Sequence, residues 1–101
     1  MTHNSRLIYR SVAFESSLAN DVLAAIEQKS IANNARDGIT GILVLSGDHF
    51  LQVLEGESSK VNQLYNKIVR DDRHHDVELL SFEQIADRYF SDWAMRLVDL
   101  Y

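Results

Sequence analysis

Apolar and polar residues alternate along residues 6–12, with Leu7, Tyr9 and Ser11 on one face and Ile8 and Val12 on the other, the two-residue period of a strand. From Leu18 to about Asn34 the period lengthens. Leu18, Val22 and Ile26, with Leu23 and Ala24 beside them, follow a helix that has no Gly or Pro inside it, and Ser16 or Ser17 can cap its start. Asn33-Asn34-Ala35-Arg36-Asp37-Gly38 ends that helix, because Asn tolerates the left-handed turn and Gly prefers it. Residues 39–45 are apolar and rich in β-branched side chains, which predicts a buried strand. Ser46-Gly47-Asp48-His49 is a tight turn, so residues 50–55 return antiparallel as a hairpin. Ser58 or Ser59 opens a second helix in which Val61, Leu64, Tyr65 and Ile68 form one apolar stripe. The polar break Asp71-Asp72-Arg73-His74-His75 precedes a strand at residues 77–82. Residues 93–100 read as a last strand with Trp93, Met95 and Leu97 on one face.

The resulting order, β-α-β-β-α-β-β, predicts an α+β fold: a ferredoxin-like β-α-β-β-α-β core with an added fifth strand. Both helices cover one face of the sheet. At 101 residues the chain makes one domain with one core, residues 1–101, and no internal repeat or linker divides it.

One position breaks the apolar pattern. In Phe50-Leu51-Gln52-Val53-Leu54-Glu55-Gly56 the amide of Gln52 shares a face with Phe50 and Leu54, while Leu51 and Val53 point the other way. A buried amide without partners costs about 1–3 kcal/mol, so hydrogen-bonding groups must meet it. Tyr9 is the second polar group held mid-strand among apolar neighbours. Asn33 and Asn34, at a helix end, are explained by helix termination alone; beside Gln52 they also offer donors and acceptors to a planar ligand edge that alternates C=O and N–H. Arg73 and His74 are either a solvated loop or donors to a ligand carbonyl or phosphate. Trp93 and Met95 read as core by periodicity.

Composition narrows the function. Hydrophobic residues at 46% and charged residues at 25% exclude disorder. Ten Lys and Arg against fifteen Asp and Glu, a net charge of −5, leave no basic run to follow a phosphate backbone, so nucleic acid is not an expected partner. The absence of cysteine excludes disulfides and thiolate chemistry, and His3, His49, His74 and His75 lack the spacing of a helical metal pair, so no metal is expected. No apolar run approaches the ~20 residues needed to span a bilayer, and the polar start lacks a signal region, which makes the cytoplasm the default location. Gly38-Ile39-Thr40-Gly41 has the wrong spacing for a nucleotide-binding loop, and no nucleophile elbow exists. A hydrolase such as an acylphosphatase-like enzyme is poorly supported. A ferredoxin-like ligand-binding or protein-interaction module, in which Gln52 satisfies a backbone group, is the competing reading.

Five segments in register resemble one family. Leu7-Ile8-Tyr9-Arg10-Ser11, Asn33-Asn34-Ala35-Arg36 leading to Ile39-Thr40-Gly41, Phe50-Leu51-Gln52-Val53-Leu54-Glu55-Gly56, Asp71-Asp72-Arg73-His74, and Arg88-Tyr89-Phe90 with Trp93-Ala94-Met95 are similar to the BLUF domain, the blue-light sensor using FAD. Each segment alone is weak; together they span nearly the whole chain in order. The resemblance implies a noncovalent FAD, with FMN or riboflavin able to replace it, whose isoalloxazine ring lies between the two helices. It makes Tyr9 the photochemical electron and proton donor and Gln52 the amide that bridges it to flavin N5 and O4. Asn34 then holds the O4 and N3 edge, Arg73 and His74 approach O2, and Ile26 and Ile68 wall the two ring faces. Ser30 and Asn33 are further lining residues, and Trp93 and Met95 report the switched state. By the same analogy, Gln52 rearranges by rotation or tautomerisation and shifts the flavin absorption to the red.

The family's flavin domain is commonly followed by two helices that cover the outer sheet face, whereas this sequence stops at Tyr101. The expectation is therefore a sensor, not an enzyme, whose outer face of Ile8, Val12, Leu51 and Val53 favours a homo-oligomer or points to truncation. Its downstream output is not legible.

Overall fold

The computed structural model describes residues 3–100. Its elements are β1 (Asn4–Ala13), a short 3-10 turn (Glu15–Ser17), α1 (Asn20–Asp37), β2 (Thr40–Ser46), β3 (His49–Glu57), α2 (Ser58–Val69), β4 (His74–Ile85) and β5 (Leu97–Asp99). They form one five-stranded sheet in the order β4-β1-β3-β2-β5. β3 lies antiparallel between β1 and β2, so the β1-α1-β2 crossover is split by a strand, as the ferredoxin-like plan requires. β4 adds antiparallel to β1, and β5 adds parallel to β2. Among the described residues no helix is long and apolar enough to cross a membrane.

Alternation in the strands decides the core. Leu7, Tyr9, Leu43, Leu45, Phe50 and Leu54 turn to the helix-covered face and are buried there with Leu23 from α1, Val61 from α2 and Met95. The hairpin between β2 and β3 turns at Gly47, whose φ of 61° falls in the left-handed region. Gly41 has a different reason: a Cβ there would stand 2.0 Å from the Val53 carbonyl oxygen, so only glycine lets β2 approach β3 at this point.

Four details depart from the sequence reading. Neither helix uses a serine cap. Ser17 is buried in the 3-10 turn ahead of α1, whose N-cap is Ala19, and Ser58 is already the first residue of α2. Asn33 and Asn34 lie inside α1, which runs on to Asp37 and is closed by Gly38 at φ 69°. β4 starts early, because His74 and His75 pair with Ala13 and Val12 at the sheet edge, where polar side chains reach water. β5 is short. The Gly41 and Leu43 amides, two residues apart, donate to the carbonyls of Trp93 (2.9 Å) and Arg96 (2.8 Å), three residues apart. One residue too many lies opposite β2, so regular pairing begins only at Leu97.

The outer face is the one expected to be apolar. Leu51 is exposed there and Ile8, Val12 and Val53 are half-buried. On the same face sits an ion pair that the sequence reading missed. Arg6 and Glu55 are directly opposed in the β1–β3 register, and the fully buried Glu55 Oε2 accepts from Arg6 Nε at 2.8 Å. The Glu55 carboxylate also accepts the Tyr89 and Phe90 amides at 3.0 and 2.8 Å, and the Arg6 guanidinium lies 3.7 Å over the Tyr89 ring. This pins the segment between β4 and β5 across the sheet. Glu55→Ala leaves the buried Arg6 with only Glu83 at 3.6 Å and the Asp87 carbonyl at 3.2 Å and frees the Tyr89 and Phe90 amides, and should lower stability by up to about 3–5 kcal/mol in denaturant unfolding; a loss below about 1 kcal/mol would show that the pair holds nothing.

Candidate functional site

Three neighbouring strands bring one row of side chains together. Tyr9 of β1 is paired with Gln52 of β3, and Gln52 with Leu43 of β2, so all three project from adjacent positions toward the helices. Above them α1 and α2 do not close over the sheet. They leave a cleft of about 220 Å³.

The cleft has apolar walls and a polar end. Ile26 lines it from α1, Leu64 and Ile68 line it from α2, and Leu43 and Phe50 form its sheet side. Ser30, Asn33 and Asn34 reach it from α1, and Asp71, Arg73 and His74 from the segment after α2. Every residue expected from the sequence to bind a cofactor therefore lines one cavity, together with Tyr9 and Gln52. Lys29 and Lys67 also line it. No sequence signal marked them, since a lysine on an exposed helix face is ordinary.

Gln52 ends the row with its amide committed in a definite sense. The Tyr9 hydroxyl donates to Gln52 Oε1, and Gln52 Nε2 donates to Met95 Sδ at 3.6 Å. All three residues are buried. The amide has two N–H groups, and one of them has no acceptor among the described residues. Asn34 Nδ2 donates to the Ala94 carbonyl at 2.9 Å, while its Oδ1 has no donor among the described residues. A spare donor and a spare acceptor at the polar end of a flat apolar cleft suit a planar heteroaromatic ring whose edge carries both C=O and N–H.

Burial raises the Tyr9 phenol well above its ordinary value, and the negative Asp71 and neighbouring Tyr65 add to this, so Tyr9 holds its proton at neutral pH. The Tyr65 ring lies 5.7 Å from the Tyr9 ring at a 53° tilt. The Asp71 carboxyl is held below its usual range by hydrogen bonding from Arg73. Arg73 Nε donates to Asp71 Oδ1 at 2.9 Å, and the backbone amide of Arg73 reaches the same oxygen at 2.9 Å. His74 bonds on both ring nitrogens, to the Ser11 hydroxyl and the Ile68 carbonyl, each at 2.7 Å. His74 thus sits at the cleft with both ring nitrogens engaged, and Arg73 with its Nε and Nη2 engaged by Asp71.

Met95 and Trp93 do not share a face. The surplus residue between β2 and the last strand breaks the two-residue period, so Met95 turns inward to Gln52 and Trp93 turns away from the cleft. The half-buried Trp93 ring stacks on Phe90 with centroids 5.9 Å apart, and the Arg96 guanidinium lies 5.0 Å over it.

Comparison with known proteins agrees with this geometry. The family model for sensors of blue-light using FAD matches residues 5–96. The blue light- and temperature-regulated antirepressor BluF of Escherichia coli is 40% identical over 73% of this chain, which spans 19% of that protein. The photoactivated adenylate cyclase subunit alpha of Euglena gracilis is 30% identical over 94% of this chain, which spans 9% of it. A bacterial light-regulated adenylyl cyclase superposes on 96% of this chain, and on 28% of its own, with a TM-score of 0.92 and 43% identity. The BLUF protein BlrB in its dark state superposes on 98% of this chain and 74% of its own, with a TM-score of 0.89 and 39% identity. The chain thus spans less than a fifth of those two sequence relatives. It belongs to the BLUF family, the sensors of blue light that use FAD.

Proposed function

We propose that this domain converts blue light into a rearrangement of the Gln52 amide, with Tyr9 as the photochemical donor and Met95 as the first residue to sense the change. The observation that carries this reading is the chain of two hydrogen bonds from Tyr9 through Gln52 to Met95 at the polar end of the cleft. FAD bound there supplies light absorption and, once excited, a strongly oxidising ring.

The protein's own residues supply the rest. The Tyr9 proton is retained by burial and is already directed at Gln52, so electron loss from the phenol can be accompanied by proton movement along an existing bond. Return of both leaves Tyr9 unchanged, and the lasting difference lies in Gln52. Rotation of that amide exchanges its oxygen and nitrogen. The Nε2 group then faces Tyr9, and Oε1 faces the Met95 sulfur, which has no proton to give. The bond to Met95 therefore exists in only one of the two states, which is what a two-state switch needs to report its position. Tautomerisation alters the same donor pattern.

In the same reading Asn34 holds the ring edge with its spare Oδ1, Ile26 and Ile68 pack on the two ring faces, and Ser30 and Asn33 border the ring. Arg73 and His74 border the O2 side, Arg73 oriented by Asp71 through Nε and Nη2 and His74 held by Ser11 and the end of α2. Trp93 would exchange places with Met95 or move with it. The chain carries no catalysis of its own and passes its signal to an output supplied elsewhere. The outer face around Leu51 serves self-association.

Tyr9→Phe should keep flavin but lose the red-shifted state that light produces, seen as an unchanged absorption spectrum after illumination; a normal photocycle in this variant would remove Tyr9 from the donor role. Gln52→Leu should fold, since leucine suits a face shared with Phe50 and Leu54, and should also lose the shift. A wild-type spectral change in Gln52→Leu would show that the amide is not the switch. Purified protein that is colourless and takes up no added FAD would instead favour a ligand-binding or interaction module without photochemistry.

A further inference from the structure

Besides the two β2 amides that reach the Trp93 and Arg96 carbonyls, three side chains hold the segment that carries Met95, and one of them lies outside the cleft. Gln52 donates to Met95, and Asn34 donates to the Ala94 carbonyl at 2.9 Å. The third contact is the Glu27 carboxylate of α1, which accepts the Leu97 amide at 2.7 Å. β5 is an edge strand, so this amide has no strand beside it on that side, and Glu27 is its acceptor. Glu27 does not line the cleft.

We infer that Glu27 is a positioning residue for the light response, holding the start of β5 so that Met95 stays within reach of Gln52 in the dark. This rests on Gln52 being the switch. The geometry gives it three parts. A charged acceptor holds a backbone amide more tightly than a neutral one. The held amide lies two residues beyond Met95, close enough to fix the position of the sulfur. The backbone around Met95 meets β2 only through the Trp93 and Arg96 carbonyls, three residues apart where the β2 amides are two apart, so it is held less regularly than a paired strand and the Glu27 contact adds a tether. When Gln52 lets Met95 go, Glu27 and Asn34 are the side chains that keep the segment near the cleft and guide its return. Asn34 also meets the cleft, and its loss would mix cofactor binding with segment position. Glu27 separates the two.

The test compares flavin-loaded wild type, Glu27→Ala and Glu27→Gln. All three should show the same dark spectrum and the same size of red shift, because no cleft residue changes. Dark recovery should be roughly threefold to tenfold slower in Glu27→Ala, where one hydrogen bond of the dark arrangement is missing. It should stay close to wild type in Glu27→Gln, whose amide oxygen still accepts. Equal recovery in wild type and Glu27→Ala overturns the inference, as does loss of flavin from Glu27→Ala or an equal slowing in Glu27→Gln. Hydrogen exchange gives a reading on the wild type alone: the Leu97 amide should be protected in the dark, and exchange at the rate of a free amide overturns the inference even if the alanine variant folds poorly. A wild-type chain that binds flavin yet gives no red-shifted state removes the switch itself. Failure of Glu27 alone is told apart by a normal wild-type photocycle.

Discussion

A primary amide buried in a strand must find partners for both its ends, and the rest of this structure is arranged around how Gln52 does so. Its oxygen is satisfied by a phenol one strand away and its nitrogen by a sulfur from the segment beside β2, on the same face of the sheet. These partners differ in kind: the phenol can donate or accept, while the thioether can only accept weakly. An amide placed between them can exchange its two ends without unfolding anything, but not without changing what Met95 feels. In the proposed function, stability and switching are thus consequences of one packing choice, and a leucine at this position would bury as well and signal nothing.

The surplus residue between β2 and the last strand is the second requirement. In a regular strand Trp93 and Met95 would share a face, and both would meet the cleft or neither would. The irregular backbone places Met95 inside and Trp93 outside, and side chains from α1 and β3 add to the two β2 amides that hold the segment. Further upstream, Glu55 and Arg6 clamp the Tyr89 and Phe90 backbone to the sheet. The Trp93 to Arg96 stretch therefore hangs between a firm anchor and a short edge strand, which suits a part that must move a little and return.

Much of this was legible in the sequence because it is local. Two-residue alternation located β1, β-branched apolar content located β2, the Ser46-Gly47-Asp48-His49 turn located β3, and the Val61, Leu64, Tyr65, Ile68 stripe located α2. Gln52 announced itself as a polar residue where the pattern demanded an apolar one. Only the family resemblance joined Tyr9 to Gln52, and the strand pairing makes them neighbours. What was not legible depends on contacts between distant residues. Glu55 looked like the polar end of a strand until Arg6, Tyr89 and Phe90 came together around it. The Arg73 guanidinium could not be known to engage Asp71, nor Glu27 to meet Leu97, seventy residues on. The serine caps failed for a related reason: capping potential is a property of the residue, but the position of the first helical turn is decided by how the preceding segment packs. The break in β5 is invisible to periodicity, since a bulge displaces the pattern without altering its composition.

In the proposed switch the Gln52 amide has different hydrogen-bond partners in the dark and after light. Its two Nε2 protons report this directly in an NMR spectrum of flavin-loaded protein labelled with ¹⁵N at glutamine, assigned by the resonance that disappears in Gln52→Leu. The account predicts that these protons shift on illumination and return in step with the absorption spectrum. Side-chain resonances that stay in place while the flavin absorption moves to the red would contradict it.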